Sequence, residues 1–129
     1  MRNQRLMVLS LALLGVGAHC RQPLCVPPAG QPIRLAIVMK HAGGKCTTET
    51  FPQCQHARRN DRLIWRVVDA APPCTKVTLQ FPSNVEAVQL DYKDPNNISG
   101  TVTGRKGRYK YSVLVNGTVT EDPEIEIWP

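Results

Sequence analysis

The chain has 129 residues, a formal charge of +6, 42% hydrophobic positions and 20% charged ones. That balance fits one globular domain and excludes both a disordered chain and a multi-pass membrane protein. Seven aromatic residues and three histidines are thin material for a base-stacking platform or for acid/base chemistry near neutral pH, which argues against a complex enzyme.

Met1-Arg-Asn-Gln-Arg5 is a basic start, and Leu6 to Val16 is an uninterrupted, mostly apolar run. Together they predict an export signal over residues 1–19, shorter than the ~20 apolar residues of a membrane span. Two processing sites compete. Val16-Gly17-Ala18 suits a general signal peptidase, whereas Cys20 stands where a bacterial lipoprotein is acylated, although His19 departs from the small residue expected before it. Either route exports the protein, to the periplasm or beyond, with membrane contact only through a lipid anchor at Cys20.

Removing the signal takes away Arg2 and Arg5, so 14 basic residues face 10 acidic ones and the charge falls to +4. This is too modest a footprint for nucleic acid. Arg58-Arg59-Asn60-Asp61-Arg62 and Gly104-Arg105-Lys106-Gly107-Arg108 read as solvated loops, with phospholipid head groups or anionic glycans as the alternative partners of such runs.

Cysteines stand at positions 20, 25, 46, 54 and 74, and in an oxidising compartment spaced cysteines form a disulfide framework. Lipidation of Cys20 would leave Cys25, Cys46, Cys54 and Cys74 to pair completely in one of three ways. One of these joins Cys46 to Cys54 across a short polar loop and Cys25 to Cys74. The same stretch also offers metal ligands: Met39, His41, Cys46, Cys54 and His56 fall within 18 residues and would suit copper or zinc. Their spacing is not that of a zinc finger, since the two cysteines are eight apart and the two histidines fifteen.

Cys25-Val-Pro-Pro-Ala-Gly-Gln-Pro32 belongs to an extended spacer over residues 20–32, and the domain is predicted over 33–129. Ile33, Leu35, Ile37 and Met39 alternate with more polar residues, the period of a first strand. A polar loop rich in Gly, Thr, Cys and His is expected next, followed by a strand over 62–69 with Leu63, Trp65 and Val67 on its packed side. Further strands are expected at 76–81, 87–92, 98–103, 109–115 and 124–128. Asn116-Gly117 is a strong hairpin signal because both residues tolerate positive φ. About seven strands separated by Gly, Pro and Asn turns predict an all-β, antiparallel Greek-key sandwich.

Gly107-Arg-Tyr109-Lys-Tyr111-Ser-Val113-Leu-Val115-Asn-Gly117, with Asp122-Pro123-Glu-Ile125-Glu-Ile127, resembles the C-terminal strands of bacterial cupredoxin-like proteins. Asn60-Asp61-Arg-Leu63-Ile-Trp65 is similar to the turn and strand ending in Trp of that family. The resemblance implies a Greek-key sandwich of plastocyanin/azurin type. It also implies a copper thiolate at or near Val113, where this chain has none, and a histidine after the Trp strand, where Cys74-Thr75-Lys76 offers none. A blue-copper centre needs a thiolate and two imidazoles, so the resemblance implies a metal-free member without a cofactor. A second likeness, of the Tyr-rich strand and Asp122-Pro123 to glycogen-binding modules, directs attention to Tyr92 and Trp128 as exposed rings, with Trp65 expected in the core.

No nucleophile stands beside an oriented base. Glu124 and Glu126 share a strand face as paired glycosidase carboxylates would, but such neighbours read as a solvated or edge-protecting face. Asn97-Ile-Ser99 and Asn116-Gly-Thr118 match glycosylation acceptors, incidental in a bacterial setting. The expectation is an exported, non-catalytic binding or interaction module of the cell envelope, with an envelope protein or glycan as partner. The alternatives are a copper-handling protein using Met39, His41, Cys46, Cys54 and His56, and a carbohydrate-binding module.

Overall fold

A computed structural model describes Pro28 and residues 30–129 apart from Val85 and Pro95. The expected signal peptide, the lipidation candidate Cys20 and the disulfide candidate Cys25 lie outside the described residues. The fold is all-β. Its strands are β1 (Ile33–Ala42), β2 (Lys45–Phe51), β3 (Cys54–Arg58), β4 (Arg62–Val68), β5 (Val77–Gln80), β6 (Val88–Asp94), β7 (Asn97–Val102), β8 (Gly107–Lys110), β9 (Ser112–Val115), β10 (Thr118–Glu121) and β11 (Glu124–Trp128).

Among the described residues eleven strands replace the seven expected: the hairpin at Asn116-Gly117 adds its second strand, β10, and two further differences supply the rest. The polar stretch after β1, expected to be a loop, is β2 and β3. Lys45, Thr47 and Glu49 are polar because β2 is an outer strand, with one edge against β1 and the other beside β10. The Tyr-rich segment is not one strand but two. Tyr111 leaves the ladder, donating its backbone N–H to Pro123, so that β8 joins β11 and β9 joins β5 and β10.

The strands form a five-stranded sheet in the order β2-β1-β4-β7-β6 and two three-stranded sheets, β10-β9-β5 and β3-β11-β8. The pairing is mixed rather than antiparallel throughout. β1 runs parallel to β4, and β3 parallel to β11. A parallel pair requires a long crossover, and β2 and β3 supply one between β1 and β4.

One core draws on all three sheets: Ile33, Leu35 and Ile37 from β1, Leu63 and Trp65 from β4, Leu79 from β5, Val113 from β9, and Ile125 and Ile127 from β11 are all buried. These are the alternating positions, because successive strand residues face opposite sides. Trp65 is fully buried, as expected of its place in the pattern. The β9–β10 hairpin turns at Asn116 and Gly117, whose φ angles of 51° and 85° are both positive.

Side chains link facing outer strands of the five-stranded sheet and the β10-β9-β5 sheet at both ends of the latter. Between β2 and β10, Glu121 accepts from the Thr50 backbone N–H (3.1 Å), the Thr50 hydroxyl (2.6 Å) and Gln53 Nε2 (2.9 Å). Thr48 and Thr120 meet through their hydroxyls at 2.6 Å. A disulfide reinforces this end, and it corrects the pairing considered from spacing: Cys46 is bonded to Cys74, not to Cys54. Forming β2 and β3 carries Cys46 and Cys54 apart, while Cys46 comes to lie beside the segment entering β5. Cys54 is also disulfide-bonded.

Candidate functional site

The second edge, between β5 and β6, holds the cleft that we take as the candidate site. β5 is the outer strand of its sheet and β6 the outer strand of the other. Tyr92 spans the gap: its hydroxyl accepts from the Leu79 N–H at 3.0 Å and donates to the Leu79 carbonyl at 2.9 Å. Both backbone groups of Leu79 therefore point away from β9. Immediately before β5, Lys76 turns its N–H to Asn116 Oδ1 (3.2 Å) and its carbonyl to the Asn116 N–H (2.8 Å), on the β9 side. Alternation then directs the N–H and C=O of Val77 outward with those of Leu79.

Beyond the Tyr92 bridge the gap widens into a cleft of about 380 Å³. Val77 and the buried Ile98 give it an apolar wall, and Thr75, Lys76, Thr78, Tyr92 and Asp94 give it polar ones. The Tyr92 ring is held at its hydroxyl yet remains 46% exposed, which makes it a fixed platform. Asp94 accepts from the Asn96 N–H at 2.9 Å and from Asn97 Nδ2 at 3.1 Å. These hydrogen bonds, the one from the Asn96 backbone foremost, hold its carboxyl below the usual carboxylate range, so the cleft carries a fixed negative charge at neutral pH. A second depression, lined by Lys76, Thr78, Asn116 and Gly117, lies between the start of β5 and the turn of the β9–β10 hairpin.

Glu124 and Glu126 are placed otherwise than the solvated or edge-protecting face expected of them. β11 is the middle strand of its sheet. Glu124 lies opposite Cys54 and Lys110, and Glu126 opposite His56 and Arg108. Glu124 is buried. One oxygen of Glu126 is 3.4 Å from His56 Nε2 and 3.8 Å from Arg108 Nε, and the other accepts from Trp128 Nε1 at 3.2 Å. The acids thus stand on a central strand, with the cations Lys110 and Arg108 opposite them on the β8 side. A histidine beside a carboxylate has the makings of a general base, but His56 is buried and the Trp128 ring lies against it, 4.6 Å between centroids.

The five residues considered for copper do not converge. Met39 is buried with Cys74 and Val115, His41 is exposed near the end of β1, and His56 lies on the β3-β11-β8 sheet. Cys46 and Cys54 are both disulfide-bonded, which denies a metal their thiolates. Among the described residues no group of three or more His, Cys, Asp or Glu side chains is placed to hold a metal ion. Of the two rings expected at the surface, Tyr92 is exposed and Trp128 is half-buried against His56. Thr75, Lys76, Thr78 and Asp94 were not singled out from the sequence. The one local signal was Asp94-Pro95-Asn96-Asn97, which reads as a turn without showing what the turn faces. Compared with models of known protein families and with curated proteins, the chain matches none of them.

Proposed function

We propose that the chain is an exported, non-catalytic binding module of the cell envelope, a cupredoxin-like sandwich without a blue-copper centre, and that its ligand surface is the cleft between β5 and β6. The observation that carries this reading is Tyr92. Its hydroxyl bridges the sandwich edge while its ring stays exposed at the mouth of the cleft. Binding sites combine an apolar wall with a few fixed polar groups, here Val77 and Ile98 with Lys76, Asp94 and two threonines.

The test is an NMR screen of the oxidised, ¹⁵N-labelled protein against mixed peptides and oligosaccharides. Shift changes concentrated at residues 75–78 and 92–94, and lost in Tyr92→Ala, are the expected result. Changes concentrated elsewhere, or binding indifferent to Tyr92, would overturn it. A parallel copper titration checks the alternative, which requires tight binding weakened by His41→Ala or His56→Ala.

A further inference from the structure

We infer that the cleft takes an extended peptide segment, which adds as a strand to the outer edge of β5. This rests on the cleft being the ligand surface and names the class of ligand. A strand edge recognises another chain through alternating N–H donors and C=O acceptors that point outward. On β5 those outward groups belong to Val77 and Leu79.

At Leu79 the edge is already satisfied in the manner of a strand. The Tyr92 hydroxyl gives one donor and one acceptor to the same residue, 2.9 and 3.0 Å away, as an opposing residue of a neighbouring strand does. One register step along, at Val77, the same pair of groups faces the cleft of about 380 Å³. The gap lies between two outer strands, so an incoming segment would have β5 on one side and β6 on the other.

The side chains around it state what the segment carries. Alternate residues of an added strand face opposite sides. An apolar or β-branched side chain facing inward would meet Val77 and Ile98. On the β6 side of the cleft a basic side chain would meet Asp94, which is exposed and held in its charged form, while the one cation of the lining, Lys76, stands at the entry to β5. The partner is therefore an extended, β-branched peptide with a basic residue. An oligosaccharide would instead stack on Tyr92 and leave the Val77 edge unmatched.

The experiment uses the full-length oxidised protein and three acetylated, amidated hexapeptides of alternating Thr and Val, with Arg, Ser or Glu at one central position. Maltohexaose serves as the saccharide probe. Binding of the Arg peptide is expected to slow hydrogen exchange at the Val77 amide. N-methylation of the peptide amides that face β5 is expected to weaken it by about tenfold, the scale of one or two hydrogen bonds. Val77→Pro removes the outward donor at an edge position where proline is tolerated, and should weaken binding similarly. Asp94→Asn should abolish the preference of Arg over Ser over Glu.

Binding of the peptides in the cleft with Val77 exchange unchanged and N-methylation without effect would overturn strand addition while leaving the cleft as the ligand surface. Perturbation of Tyr92 by maltohexaose alone would do the same and assign the cleft to a saccharide. No response at residues 75–79 or 92–94 to any of these probes would count against both readings.

Discussion

Trp65 donates its indole N–H to the hydroxyl of Tyr111 over 3.0 Å, and both side chains are buried in the core. Phe81 stacks on Tyr111 with ring centroids 4.8 Å apart, and the Trp65 and Tyr111 rings meet edge to face at 5.7 Å. The contact joins β4 to the residue at which the Tyr-rich segment breaks into β8 and β9. Burial pushes the Tyr111 phenol well above its ordinary value of 10.0.

A pH dependence follows. Above the unfolded value the unfolded chain has lost the Tyr111 proton while the folded protein keeps it. The stabilisation is complete below pH 10 and is lost as pH rises toward the folded value, at about 1.4 kcal/mol per unit. Tyr111→Phe should remove that slope. Below pH 9 the variant should itself be less stable by about 1–3 kcal/mol, because Trp65 Nε1 loses its acceptor. Urea unfolding of both proteins at pH 8, 10 and 11 measures each effect.

Glu121 is the acceptor for three donors at the β2–β10 edge. Thr50, which provides two of them, is fully buried. Glu121→Ala should destabilise by about 1–3 kcal/mol, the cost of leaving a buried donor unsatisfied. Glu121→Gln should cost less, since it keeps one carbonyl acceptor. Equal midpoints for Glu121→Ala and the parent in urea would show that this edge contributes nothing.

The Cys46–Cys74 bond spans 28 residues. Closing a loop of that length stabilises by about 3–4 kcal/mol through the unfolded chain, and the double variant Cys46→Ser/Cys74→Ser should lose that amount in urea. Peptide mapping without reduction should recover Cys46 linked to Cys74. A fragment linking Cys46 to Cys54 would contradict the placement of β2.

Gly104 lies where the chain passes against Ala87. A Cβ built there would be 2.7 Å from the Ala87 Cα, and the Gly104 N–H already donates to the Ala87 carbonyl at 3.0 Å. Backbone faces backbone, so no side chain can rotate away. Gly104→Ala should cost about 1–3 kcal/mol, read as a lowered thermal midpoint.

Much of the fold is legible where burial alternates along one segment. β1, β4 and β11 show the period of two in their sequences, and Asn116-Gly117 marks its turn. β2 was not legible because its residues are polar, as suits an outer strand whose partners are Thr120 and Glu121, some 70 positions on. The candidate site was less legible still. Tyr92 stands out as an aromatic ring, but Lys76, just before β5, and Asp94, at the end of β6, lie in separate segments and share no motif.

The amino-acid sequence alone determined the all-β class, the packed face of each strongly alternating strand, the burial of Trp65 and the hairpin at Asn116. These depend on side-chain alternation and on φ preferences, which act within a few residues. Only the tertiary structure decided that Cys46 meets Cys74, that the Tyr-rich segment divides at Tyr111, that Glu124 and Glu126 occupy a central strand, and that Tyr92 bridges to Leu79. Each of these depends on which distant segments become neighbours and on whether a strand lies at the edge or the middle of its sheet. A local pattern of two cannot specify that, because an outer and an inner strand can carry the same alternation while differing in every partner.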